Sequence, residues 1–236
     1  MVEKQLASHG LSPRGEVDAF LRRADQIPAL SEVRGRLIFA VDATMSRQRT
    51  WDSASEIQRD MFDVARAIGG IGMQLVFFRG RGEFDASRWT TNPAALAERM
   101  SRVSCRSGFT QICRVLKHAA DEAGRTNVRT LVLIGDSFEE NPQAALDAAG
   151  ALALRGVRAF LFQEGDNPDA TAVFREIARL TGGVHARFDS TSIGRLRDLL
   201  RAAAVYAAGG LPALHRYGDG VGGEVQRLMR GLEDHR

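Results

Sequence analysis

The sequence predicts an α/β fold: a doubly wound, mostly parallel six-stranded sheet with one antiparallel edge strand and helices on both faces. Two observations predict this fold. Between Arg36 and Ala207, short β-branched or aromatic runs alternate with amphipathic helical patterns, as in successive βαβ units. The first run, at residues 37–41, is apolar throughout, which is typical of a central strand covered on both faces.

The strands differ in polarity, and this difference predicts their places in the sheet. The third strand is short and polar and follows the tight-turn sequence Gly80-Arg81-Gly82, so it is predicted as the antiparallel edge. The predicted strands lie at residues 37–41, 73–78, 83–89, 130–134, 157–162 and 184–188.

Helices are predicted where apolar residues recur at helical spacing and capping signals mark the start. Ser53 and Glu56 form a capping-box pattern, and the pairs Asn92-Pro93 and Asn141-Pro142 are typical of helix starts. The predicted helices lie at residues 53–68, 92–100, 111–123, 141–156, 169–180 and 192–207.

Composition divides the chain into three regions. Residues 1–34 predict an N-terminal helical extension, residues 35–208 the α/β domain, and residues 209–236 a glycine-rich linker with a C-terminal amphipathic helix. In that last helix Val225, Leu228, Met229 and Leu232 follow the spacing of one helix face. Both flanking helices either cover apolar surface of the core domain or bind a partner.

Charge and cysteine content restrict the function classes. The 236 residues carry a formal charge of +3, and arginines alternate with acids along the predicted helices, which argues against nucleic-acid binding. The apolar runs are far shorter than the ~20 residues that span a bilayer, so no membrane span is predicted. No secretory signal is visible, and Cys105 and Cys113 are too few for a disulfide framework. We therefore expect a cytoplasmic protein.

Five oxygen-bearing residues follow strands or precede a helix in this pattern. Asp42, Thr44 and Ser46 stand at alternate positions just past the first strand, where alternate side chains point the same way. Thr110 lies on a loop before a helix, and Asp136 follows the strand at 130–134. Ligands of open α/β sheets collect outside the carboxyl ends of strands, and hard divalent cations prefer oxygen. These residues predict a divalent-cation site.

The same pattern resembles the von Willebrand factor A domain with a metal-ion-dependent adhesion site, whose Asp-x-Ser-x-Ser loop is joined by a Thr and an Asp from two further loops. The resemblance spans residues 36–207. It implies Mg²⁺, with Mn²⁺ as a substitute, held by Ser46, Thr44 and Thr110, while Asp42 and Asp136 act largely through bound waters. A partner's Asp or Glu would complete the octahedron. Intracellular bacterial relatives often act with AAA-type ATPases, so by analogy such an ATPase is an expected partner.

Several of these residues also have a purely structural interpretation. Thr110 could be the N-cap of the helix that begins at residue 111, and Glu139 and Glu140 are interpreted as first-turn acids of the next helix. Cys105 and Cys113 flank Thr110 and are either quiet thiols or a redox latch on the metal loop.

Two other function classes stay open. A Mg²⁺-dependent phosphatase also has an Asp after the first strand, but it needs a second carboxylate as general acid at position 44, where a Thr cannot serve at neutral pH. We therefore expect a binding protein and not an enzyme. A scaffold α/β domain with a vestigial metal site is the other alternative.

Overall fold

The strands of the structure form a single sheet within the described residues. The computed structural model describes residues 35–48, 71–189, 192–218 and 223–233. The strands are β1 (Gly35–Asp42), β2 (Ile71–Arg79), β3 (Glu83–Ala86), β4 (Val128–Gly135), β5 (Arg158–Glu164) and β6 (Val184–Phe188). Their order is β3-β2-β1-β4-β5-β6, and every pairing is parallel except that of β2 with β3. The predicted fold class is confirmed.

Helices connect the strands, and two of them begin at the predicted Asn-Pro pairs. They are α1 (Pro93–Ser101), α2 (Ile112–Arg125), α3 (Pro142–Leu154), α4 (Pro168–Leu180), α5 (Ile193–Gly218) and α6 (Gly223–Glu233), with a one-turn 3₁₀ helix at Met45–Arg47. Asn92, Asn141 and Asn167 each accept a backbone amide through the side chain, directly before a proline. The predicted helix at 53–68 lies outside the described residues.

The core has two layers, one on each face of the sheet. Because alternate residues of a strand point to opposite faces, Leu37 and Phe39 of β1 pack on one face while Ile38 and Ala40 pack on the other. Helices α1, α5 and α6 cover the first face, and α2, α3 and α4 cover the second. None of the helices in the described ranges is long and apolar enough to cross a membrane.

The last part of the chain differs from its prediction. The sequence predicts a linker from residue 209, whereas α5 continues to Gly218 with a kink at Gly209 and Gly210. The two glycines are themselves non-helical, but Leu214, beyond the kink, is fully buried in the same core as α6, so tertiary packing favours a helix after them. Helix α6 thus covers apolar surface, the first of its two predicted roles. The division into domains stays a prediction, and residues 1–34 lie outside the described residues.

Gly183, just before β6, meets the backbone of β5 so closely that a side chain would not fit. A Cβ atom there would lie 1.9 Å from the carbonyl oxygen of Ala159. We expect Gly183→Ala to lower the free energy of unfolding by about 2 kcal/mol or more, measured by urea denaturation. The control is Gly150→Ala in α3, where a Cβ meets no atom within 4 Å and should stabilise the helix by about 0.5–1 kcal/mol. Equal stability of the two variants would contradict this packing.

Candidate metal centre

The sheet topology opens a crevice at the carboxyl ends of β1 and β4. Strand β1 pairs with β2 on one side and with β4 on the other, so the chain winds away from β1 in opposite directions. Ligand sites of open α/β sheets form at such a reversal. Asp42 is the last residue of β1 and Asp136 directly follows β4, so both acids stand at this edge.

The first loop brings three of the predicted residues together. Asp42 is completely buried, and its Oδ1 accepts the backbone amide of Thr44 at 2.7 Å. Its other oxygen, Oδ2, is buried without a hydrogen-bond partner. The chain then enters the 3₁₀ turn, and the hydroxyl oxygens of Thr44 and Ser46 lie 3.1 Å apart. A carboxylate and two hydroxyls therefore lie together, with one carboxylate oxygen still lacking a partner.

The electrostatics of Asp42 fit a bound cation. Burial, aided by the negative charge of Asp136, raises the pKa of this carboxyl to about 6 in spite of the lowering effects of the Thr44 hydrogen bonds and Arg47. A buried carboxylate is costly unless a charge or hydrogen bond compensates it. A cation at the free oxygen would supply that compensation, so the residues present fit the metal that the resemblance implies.

The crevice has a volume of about 520 Å³ and takes residues from several loops. Of the predicted ligands, Thr44, Ser46 and Asp136 line it directly. Its lining residues are Thr44, Met45, Ser46, Ser107, Gly108, Asp136, Ser137, Glu139, Glu164, Asp166 and Asn167. All the polar side-chain atoms among them are oxygens except for the amide nitrogen of Asn167, which suits a hard cation.

Thr110 does not line the crevice and is joined to it through Glu139. The Thr110 hydroxyl accepts the backbone amide of Glu139 at 3.0 Å, and the Thr110 amide donates to the Glu139 carboxylate at 3.2 Å. Since a hydroxyl oxygen has two lone pairs, one remains for another partner. The structure thus brings Asp42, Thr44, Ser46 and Asp136 together, and Glu139 links the fifth predicted residue, Thr110, to the crevice.

The structure contradicts two predictions about helix starts, one for Glu140 and one for Thr110. Predicted as a first-turn acid of the following helix, Glu140 precedes α3 and instead accepts the backbone amides of Ile112 and Cys113, the latter at 3.0 Å. It therefore caps α2, where a negative charge is favourable. Thr110 is not the N-cap, because that position belongs to Gln111, which makes no side-chain cap hydrogen bond.

Arg47 is a site residue that the sequence analysis missed. Its side chain is fully buried, with Nη1 donating to the main-chain oxygen of Asp42 and Nε to Glu164, both at 2.9 Å. It thereby joins the end of β1 to the end of β5. The rule that polar residues after strands gather at one edge would have indicated Glu164, but burial of an arginine has no sequence signal.

The cysteines and the remaining ligand types add no further metal chemistry. Burial raises the pKa of Cys105 to about 11 and that of Cys113 to about 12, and both are free thiols, so neither is a reactive thiolate at neutral pH. This disfavours the redox latch.

Across the part of the chain that the structure describes, no three His, Cys, Asp or Glu side chains converge, so the candidate site depends on hydroxyls beside carboxylates.

The buried carboxyl of Asp42 predicts a pH effect on the metal-free protein. Because its folded-state pKa of about 6 exceeds the ordinary 3.8, folding takes up a proton between these values, and stability falls as pH rises through that window. Asp42→Asn keeps the acceptor for Thr44 and cannot ionise. In EDTA at pH 8 it should be more stable than the parent by about 3 kcal/mol in urea denaturation, and the gain should shrink near pH 4.

The matched control is Asp166→Asn, an exposed acid on the same crevice, which should change stability little at either pH. A gain for Asp42→Asn that is equal at both pH values would contradict the burial argument.

Comparisons with known proteins identify the fold. No family model and no curated protein matches the chain. Solved structures do match. An aerotolerance-related membrane protein from Bacteroides fragilis has a TM-score of 0.58 and 16% identity, over 72% of this chain and 98% of that one. A von Willebrand factor type A protein from Catenulispora acidiphila has a TM-score of 0.61 and 16% identity, over 74% of this chain and 43% of that one, and the VWA domain of SpRpn10 has a TM-score of 0.58 and 7% identity, over 70% and 96%. The chain spans less than half of the Catenulispora protein. It has the fold of von Willebrand factor A domains.

Proposed function

We propose that this chain is a protein-interaction module that holds Mg²⁺ at the candidate metal centre and, through it, a carboxylate of a partner protein. Asp42, Thr44, Ser46, Thr110 and Asp136 are the residues that would hold the ion, directly or through water. The fold supports the general class, because domains of this fold are commonly interaction modules. The bound ion would supply a positive charge that an acidic side chain can complete.

The observation that carries the proposal is the unpartnered, buried Oδ2 of Asp42 beside the paired hydroxyls of Thr44 and Ser46. Neutral hydroxyls leave the charge of a divalent cation poorly neutralised, so the ion favours an anionic ligand from outside. Two of the neighbouring acids are already engaged, Glu139 by the amide of Thr110 and Glu164 by Arg47. In the proposal an external carboxylate supplies the remaining ligand.

Two exposed apolar side chains favour a protein as the source of that carboxylate. Met45 is 47% exposed and Phe109 is 66% exposed, and they lie on the loops that carry Ser46 and Thr110. Among the described residues only Leu154 is a further exposed large hydrophobic. Apolar and aromatic residues around a polar centre are typical of energetically important parts of protein interfaces.

The residue at position 44 disfavours the phosphatase alternative. Thr44 lacks the carboxyl that a general acid needs. We therefore favour a non-enzymatic function. As further parts of the proposal, an AAA-type ATPase is the partner class that the resemblance implies, and the cytoplasm is the compartment that two free thiols favour.

Calorimetric titration tests the metal. Mg²⁺, and Mn²⁺ likewise, should bind at about one ion per chain, and Asp42→Ala and Thr110→Ala should each weaken binding by about tenfold or more while keeping the circular dichroism of the parent. Ser137→Ala is the control, because Ser137 lines the same crevice outside the predicted ligand set. No heat and no thermal shift for the parent up to millimolar ion would instead favour the scaffold with a vestigial site.

A peptide array tests the apolar rim of the site, which is formed by Met45 and Phe109. Peptides with a single Asp or Glu between apolar residues should bind in Mg²⁺ and not in EDTA. Phe109→Ser should weaken this binding by about tenfold with the affinity for Mg²⁺ unchanged. An aromatic side chain that becomes buried against a partner commonly contributes at least that much to affinity. Leu154→Ser is the matched control, because Leu154 is 91% exposed on α3, outside the lining of the metal centre. Equal effects of the two variants would contradict a role for the rim.

A further inference from the structure

A second groove, of about 640 Å³, lies along β6 and shares no lining residue with the candidate metal centre. Residues 183–187 all line it, one after another. Because successive side chains of a strand point to opposite faces, a groove on one face would meet only alternate residues. A groove that meets five consecutive residues opens at the edge of the strand itself.

That edge of β6 is not covered by another strand. Among the described strands β6 pairs only with β5 and ends the sheet. An edge strand presents main-chain donors and acceptors along its outer side, which suit a further strand. Helix α4 forms one wall of the groove and α5 and α6 form the other, with Leu199 and Leu228 supplying apolar surface. The groove is thus a strand-sized channel with a peptide backbone along its floor.

The side chains around this channel are predominantly cationic. Its walls and floor contribute one acid, Glu176, which Arg179 binds at 2.9 Å through Nε. The arginines that line it come from four elements and are Arg175, Arg179, Arg187, Arg195 and Arg227. Guanidinium groups bind carboxylates through paired hydrogen bonds of fixed geometry.

The pKa of His185, on the floor of the groove, is consistent with this excess of positive charge. Burial, together with the charges of Arg175 and Arg187, lowers its pKa to about 4. The two arginines therefore act on one point of the floor from α4 and from β6. Their combined charge favours an anionic group there.

We propose that this groove binds an extended acidic segment of a partner protein, which pairs with the free edge of β6 as an added strand and sets its carboxylates against Arg175 and Arg187. A strand edge complements a peptide backbone and has no counterpart in a nucleic acid, whose binding to single strands depends on aromatic stacking platforms. The lining of the groove contains no Phe, Tyr or Trp.

Fluorescence polarisation with the full chain in EDTA tests the proposal. The probe is a labelled peptide of about seven residues that alternates valine and glutamate, long enough to cover β6. It should bind more weakly as salt rises from about 0.05 to about 0.3 M. The double variant Arg175→Glu, Arg187→Glu should lose at least about tenfold in affinity, because both side chains are exposed and face the peptide's charge. Arg88→Glu, an exposed arginine after β3 at the opposite edge of the sheet, should bind as the parent does.

Changes in the peptide test the strand pairing without altering the protein. Methylation of alternate backbone amides should weaken binding by at least about tenfold, since it removes the donors that pair with an edge. Glutamine in place of glutamate should weaken it similarly. Because binding is measured in EDTA, where the candidate metal centre holds no ion, the assay separates this groove from that centre.

Three results would overturn the proposal. The first is no binding at millimolar peptide. The second is equal binding of the methylated and unmethylated peptides, or displacement of the peptide by an all-thymidine oligonucleotide at lower concentration, either of which would mark a general anion groove. The third is binding of the peptide in Mg²⁺ but not in EDTA, which would assign the peptide to the candidate metal centre.

Discussion

The reversal of winding at β1 is the constraint on which the candidate site depends. Since the chain crosses from β1 to opposite sides, the carboxyl ends of β1 and β4 are left uncovered, and polar groups there need partners. Arg47 supplies one by binding the main-chain oxygen of Asp42 and the carboxylate of Glu164. A buried arginine is tolerated only when it is paired, so this bridge fixes the first loop against β5. The positions of Thr44 and Ser46 follow from it.

The contrast between Asp42 and two buried glutamines indicates how the core treats polar groups. Gln74 donates to the main-chain oxygen of Ser87 and contacts His118, and Gln163 donates to the main-chain oxygen of Asn167 and contacts Thr171 and His185. These amides are satisfied on both atoms. Asp42, at the end of the central strand, leaves one oxygen unpartnered and carries a raised pKa. Local rules of stability are commonly broken at functional sites, which favours a ligand as the missing partner.

The sequence predicts what local patterns determine and misses what distant contacts determine. Alternating runs identify the strands to within about two residues, except that the third ends at Ala86, and Asn-Pro pairs identify the helix starts. The position of residues after strands also gathers the oxygens of the metal centre. By contrast, Glu140 caps a helix 27 residues earlier in the chain, and Arg47 pairs with a residue 117 positions away. The glycines at 209 and 210 predict a linker, but burial of Leu214 keeps the chain helical beyond them.

The metal centre and the arginine-lined groove are separate in lining but adjacent in the sheet. Glu164, on the rim of the crevice, pairs in register with Phe188, which follows Arg187 of the groove. The two surfaces thus meet at the carboxyl ends of β5 and β6. In the two proposals both surfaces bind carboxylates, the first a single one through a cation and the second several along a strand. A partner bound at one surface is held at high effective concentration for the other, so two weak contacts with one acidic partner would give an affinity that neither reaches alone.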